Sequence, residues 1–185
     1  MTQLVRLCLV SHAMTGAMAA RRFPADEPLN DTGRSLVEAV AGLDIAADSR
    51  HLAGPERRAR QTAQLLGLRA TTEPLLADLD CGRWRGEKLE DLRREDLDAW
   101  LTDPGYAPHG GESVVDLIKR VAGWLESLTA TGDTLQTVAV THPAVIRAAI
   151  LLALDIPPKS FWRIDIAPVS QTVMHFGSGR WTLRL

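Results

Sequence analysis

At 185 residues and 45% hydrophobic content the chain has enough apolar material for one well-buried core, and two domains would be cramped; residues 1–185 are therefore expected to form a single domain. Its 21 basic and 23 acidic residues leave a formal charge of -2, which excludes the global basic field of a nucleic-acid binder. Two cysteines, Cys8 and Cys81, make neither a disulfide framework nor a CxxC metal or redox pattern, and no apolar run has the length of a signal peptide or a membrane span, so a cytoplasmic protein with no membrane partner is expected.

Residues 4–10 are short, rich in Val and Leu and apolar almost throughout, as a parallel strand buried on both faces should be. They stop abruptly at Ser11-His12-Ala13. Residues 32–43 repeat apolar side chains at helical spacing, and residues 57–66 read as a second helix opened by Pro55 and stopped by Gly67. A short strand is expected over 68–73 and a charged helix over 87–101. The Pro- and Gly-rich stretch 103–111 reads as a surface loop or lid. Gly110-Gly111-Glu112-Ser113 then leads into a long amphipathic helix that ends before Gly132. TVAVT, residues 137–141, is a second buried strand, and it too runs straight into a histidine, His142. A helix with proline at its first position covers 143–154, and a hairpin around Gly177-Ser178-Gly179 joins 173–176 to 181–185. The pattern predicts an α/β fold, a mostly parallel central sheet flanked by helices on both faces.

Ligands of open α/β sheets bind beyond the carboxyl ends of the strands, and His12 and His142 stand at two such ends. Between them, Arg57, Arg58 and Arg60 crowd a helix start, where they oppose the positive end of the helix dipole. An anion would reward at least one of them; Arg57 and Arg60 are read as solvated charges.

Taken in order, these segments resemble the histidine phosphatase, or phosphoglycerate mutase-like, superfamily over almost the whole chain. Ser11-His12-Ala13, with Thr15 beyond it, resembles the family's Arg-His-Gly motif, whose histidine becomes phosphorylated. PLNDTGR, with Gly33 in the usual place, is similar to the segment before the first helix; ERRARQTA resembles the arginine-bearing helix start and puts Arg58 at the phosphate. LLADLDCGRWRG is similar to the segment supplying the acid, which falls on Asp78, with Gly82, Trp84 and Gly86 framing it and Asp80 as the nearest competitor. GGES and TVAVTHPAVIRA resemble the later helix start and the second-histidine motif, with His142 as that histidine.

The resemblance implies a metal-independent phosphatase without cofactor, acting on a small phosphorylated or anionic metabolite; oligomeric state has no signal in the sequence. His12 would be the nucleophile, forming a phosphohistidine that water hydrolyses. Arg58 and a protonated His142 would stabilise the transferring phosphoryl group, with Ser11, Thr15 and Arg22 as further phosphate contacts. Asp78 would protonate the leaving alkoxide and then deprotonate water, a role that requires a pocket raising its pKa. Two positions depart from the family pattern. Ser11 stands where the motif has arginine, and Met18 where a later asparagine helps line the pocket. Arg21 or Arg22 is positioned in sequence to compensate, Arg22-Phe23 resembling an Arg-aromatic pair of some members. Two alternatives follow from the loss. One is a weakened member that binds a phosphorylated ligand or partner; the other is an enzyme repurposed for non-phosphoryl acid/base chemistry. Specificity is expected in loops 14–25 and 103–111.

Overall fold

The computed structural model describes residues 4–40, 48–130 and 136–185. Strand β1 (Val5–Ser11) is followed by the short helix α1 (Gly16–Ala19), α2 (Asp31–Ala39), β2 (Arg50–Ala53), α3 (Arg57–Leu65) and β3 (Thr71–Thr72). Helices α4 (Arg94–Thr102) and α5 (Val114–Ala130), strand β4 (Gln136–Thr141), helix α6 (Pro143–Ala153) and the hairpin β5 (Gln171–Gly177) and β6 (Arg180–Arg184) complete the order. The six strands lie in the order β3-β2-β4-β1-β5-β6. Pairings β1–β4, β2–β4 and β2–β3 are parallel, and β5 and β6 add an antiparallel edge.

Side-chain alternation along the central strands divides the core between the two faces of the sheet. Leu7, Leu9, Leu52 and Ala139 pack with Leu117, Val121 and Trp124 of α5 and with Val145 and Ile146 of α6. Cys8, Val10, Ala53, Val138 and Val140 pack instead with Ala59 and Ala63 of α3. Strands β1 and β4 are therefore apolar on both sides because both sides are covered, which is why they read as continuous hydrophobic runs.

The helices start where the sequence supplies caps. Asn30 accepts the Gly33 amide at 2.8 Å to open α2, and Ser113 accepts the Asp116 amide at 3.1 Å to open α5. Pro143 occupies the first turn of α6, where its missing N–H costs nothing. At the hairpin, Ser178 and Gly179 both take positive φ, the twist a two-residue β-turn needs.

Four sequence expectations need adjustment. Strand β2 was not anticipated, because its four residues open with Arg50 and His51. Strand β3 is two residues rather than six, and α4 starts at Arg94 because Leu89–Asp91 forms a separate 3₁₀ turn. Helix α2 ends at Ala39 with Val40 as its cap; the rest of the stretch expected to continue it, and Gly132 after α5, fall outside the described residues. Among the described residues no helix is long and apolar enough to cross a membrane.

Candidate active site

The register Ser11↔Thr141 brings the carboxyl ends of β1 and β4 side by side, and the His12 amide donates to the Thr141 carbonyl at 2.9 Å. His12 and His142 therefore become neighbours, with ring centroids 5.2 Å apart. Strand β2 ends beside them: the Gly54 amide donates to Val140 O, and the chain turns through Pro55 and Glu56 into α3 and Arg58. Three parallel strands thus deliver two imidazoles, a carboxylate and a guanidinium to one place.

His12 is 4% exposed, and its Nδ1 lies 2.8 Å from the Ala13 carbonyl. A carbonyl only accepts, so Nδ1 carries the hydrogen and the Nε2 lone pair is left free. Burial, assisted by the neighbouring His142 and opposed by the bond to Ala13, lowers the His12 pKa to about 4. Ala13, in the place of the motif glycine, is free of the positive φ that would strain it, and its amide donates to Thr62 Oγ1 at 3.0 Å.

Arg58 is 2% exposed and donates from Nη2 to Asp78 Oδ2 at 2.6 Å, while its buried Nε and Nη1 meet no acceptor among the described residues. Asp78 Oδ1 accepts its neighbour's amide, Leu79 N, at 2.8 Å. Burial alone would raise the Asp78 pKa, but His142, Arg58 and His12 together hold it down at about 2. This corrects the expectation of a raised acid: Asp78 is ionised in the resting site.

Glu56, which the sequence reading passed over within ERRARQTA, ties the cluster together. Its Oε1 accepts the Asp78 amide at 3.0 Å and its Oε2 lies 2.7 Å from His142 Nε2. Burial raises its pKa, but the hydrogen bond and charge of His142 outweigh that and leave it below the usual carboxylate range. His142 Nδ1 stands 3.5 Å from Asp78 Oδ2. The GGES segment supports the same loop from behind. Glu112 takes Arg120 in two 2.8 Å bonds, and Arg120 in turn donates to the carbonyls of Leu75, Ala77 and Asp78.

Two expected phosphate contacts are corrected. Ser11 is fully buried and donates to Ala167 O at 2.6 Å, while its oxygen accepts the Ser170 amide at 3.0 Å; it serves the 167–170 segment, away from the pocket. Thr15 is fully buried as the N-cap of α1, accepting the Met18 amide. Arg22 does line the pocket, donating to Gly86 O at 3.1 Å, whereas Arg21 does not. Asp80, the competitor of Asp78, is spent on the Gly82 amide at 2.9 Å. Gly82 is needed there, since a Cβ would lie 2.2 Å from His109 O and its φ is +46°.

The pocket is lined by His12, Arg58 and Asp78 at one end and by Met18, Phe23, Trp100 and Trp162 elsewhere. The 103–111 stretch contributes no lining residue; His109 is buried against Trp84 with ring centroids 5.1 Å apart, which anchors the loop rather than freeing a lid. Trp100 and Trp162, unmarked in the sequence, take its place. Among the described residues, no group of three or more His, Cys, Asp or Glu side chains is disposed to hold a metal ion.

The two depressed pKa values predict acid sensitivity. Unfolded His12 binds a proton below 6.5 and the folded residue only below about 4, so the unfolded state holds more protons in that window. Stability should therefore fall as pH drops from 6.5 toward 4, and Asp78 extends the loss from 3.8 toward 2. Urea midpoints across this range should fall less steeply between 6.5 and 4 for His12→Asn than for the wild type; equal slopes would contradict the assignment.

Residues 7–185 match the histidine phosphatase superfamily (branch 1). Phosphoserine phosphatase 1 of Hydrogenobacter thermophilus is 26% identical over 193 residues, covering 96% of this chain and 89% of that protein. The structure of a mycobacterial glucosyl-3-phosphoglycerate phosphatase in complex with VO3 superposes with a TM-score of 0.84 at 26% identity, covering 98% of each chain. A bifunctional protein of Mycobacterium tuberculosis is 28% identical over 195 residues, and the chain spans 53% of its length.

Proposed function

The chain belongs to the histidine phosphatase superfamily, and from that premise we propose that it is a phosphatase that hydrolyses a small phosphorylated metabolite through a phosphohistidine at His12. One observation carries the reading: a buried imidazole with a free Nε2 lies in one pocket with a buried guanidinium that has two unmet N–H groups. An unmet buried donor costs roughly 1–3 kcal/mol, which a phosphoryl oxygen would relieve. His12 Nε2 attacks phosphorus in line, the P–O bond to the alcohol breaks, and Arg58 neutralises the charge on the equatorial oxygens.

Asp78 enters as a proton carrier only once substrate is bound. An incoming dianion draws on the same Arg58 and His142 that hold Asp78 ionised, and its own charge favours protonation of the carboxylate. Asp78 then gives a proton to the leaving alkoxide and takes one back from the water that hydrolyses the phosphohistidine. The pH profile follows from this: kcat/KM for p-nitrophenyl phosphate should fall as pH drops through about 4, where His12 protonates. A profile flat through that region would remove His12 from the mechanism.

Arg58→Ala should lower turnover by about 10²–10³-fold, the usual effect of losing one preorganised donor, and wild-type turnover should survive exhaustive chelation. Wild-type rates in Arg58→Ala, or activity lost to a chelator and restored by a divalent ion, would count against the proposal.

A second reading is favoured by the pairing already present in the site. Arg58 holds Asp78, His142 holds Glu56, and Ser11 brings no charge to the pocket. Such a balanced cluster suits a weakened member that binds a phosphorylated ligand or partner, or one that uses the pocket for other acid/base chemistry. Binding of vanadate without hydrolysis of any phosphate ester in a broad panel would put it ahead.

A further inference from the structure

The pocket extends beyond the two histidines, and its far wall is unlike its phosphate end. Trp100 and Trp162 meet with ring centroids 4.3 Å apart and planes tilted by 52°, and Phe23 packs on Trp100 at 5.6 Å. Met18 and Ala144 continue this apolar surface. The pocket encloses about 190 Å³, which suits a small ligand rather than a bulky one.

Arg147 stands in this wall, with Arg22 elsewhere on the pocket rim. Arg147, from the second turn of α6, lies over Trp162 and Phe161 with its Cζ 5.5 and 5.8 Å from their ring centroids. Its Nε donates to Ile164 O at 2.6 Å, which fixes the plane of the fork, and no carboxylate lies within salt-bridge distance among the described residues. The group is half-buried, and burial lowers its pKa against the pull of Asp165 and Asp78. The neighbouring Trp100 is 7% exposed, and its indole N–H also meets no acceptor among the described residues. A tethered guanidinium on an aromatic floor is the arrangement that reads a planar anion.

We propose that this wall is the leaving-group subsite, and that the substrate is a phosphate monoester whose alcohol portion is a flat or apolar body carrying a carboxylate at its far edge, received by Arg147. The body lies against Phe23, Trp100 and Trp162, and the carboxylate takes the guanidinium fork. The proposal rests on the reading that the His12 and Arg58 end takes the phosphoryl group. A substrate with an anionic group at each end would meet Arg58 at one and Arg147 at the other.

Non-hydrolysable phosphonates test the subsite without relying on turnover. Calorimetry on the wild type should rank para-carboxybenzyl phosphonate about tenfold or more tighter than benzyl phosphonate, the effect of one charged hydrogen-bonded pair, and benzyl phosphonate several-fold tighter than methyl phosphonate. Arg147→Met should erase the carboxylate preference, and Trp162→Ala the benzyl preference. Equal wild-type affinity for the carboxybenzyl and benzyl compounds overturns the proposal whether or not the variants fold, and an unchanged ratio in folded Arg147→Met overturns it as well. Assays with p-nitrophenyl phosphate separate the two levels. Turnover without phosphonate discrimination removes the subsite and leaves the phosphatase reading standing; discrimination without turnover or a labelled His12 retains the carboxylate-binding wall but removes the phosphatase reading and, with it, the leaving-group assignment.

Discussion

Ser11→Arg is expected to cost the fold about 3 kcal/mol or more and to raise no phosphatase activity. Sequence resemblance alone points the other way, since it sets Ser11 where an arginine would meet phosphate. The structure decides the matter by direction. The Ser11 hydroxyl donates 2.6 Å to Ala167 O and receives the Ser170 amide, with no exposed surface. An arginine there would lose both bonds, bury a charge without a partner and overfill a packed strand end. Urea unfolding of Ser11→Arg beside Ser11→Ala checks this. The alanine variant should lose only about 1–3 kcal/mol, from the unmet Ser170 amide and Ala167 carbonyl. An arginine variant of wild-type stability with faster turnover of p-nitrophenyl phosphate would show that the strand end can turn toward the pocket.

His12→Ala should lower turnover by at least about 10³-fold while leaving the sheet intact, because it removes the attacking atom. Its structural cost should be small. The ring is neutral at physiological pH, and its one side-chain hydrogen bond among the described residues is to the adjacent Ala13 carbonyl. His142→Ala should behave differently, since it also leaves Glu56 Oε2 without its 2.7 Å partner. That variant should lose stability as well as rate, with the unpaired carboxylate as the cause. Equal unfolding midpoints for the two variants would contradict the role given to the Glu56–His142 contact.

Much of the site was legible in the sequence because its signals are local. Two apolar runs that each end in histidine announce two buried parallel strands, and a helix crowded with arginine at its start announces Arg58. What stayed hidden depends on contacts distant in the chain. Ser11 is turned by residues 156 and 159 positions away, which no pattern around the motif reveals. Glu56 opens the segment ERRARQTA, but its partner is 86 residues on. Asp78 was expected to be a raised acid because its proton-donor role calls for one; the groups that hold its pKa down, His142, Arg58 and His12, arrive from the end of β4, from α3 and from the end of β1. Trp100 sits in a charged helix and Trp162 in the 3₁₀ segment Pro158–Arg163, so the fold alone brings them to one wall.

The central claim is covalent chemistry at His12, and trapping the intermediate tests it most directly. The wild type should be mixed with p-nitrophenyl phosphate, quenched in alkali during turnover and digested for mass spectrometry. The account predicts an acid-labile, alkali-stable phosphoryl group on His12 that appears with the burst of alcohol and decays as phosphate is released. Steady turnover with no phosphoryl group on His12, or with the label on another residue, would contradict it.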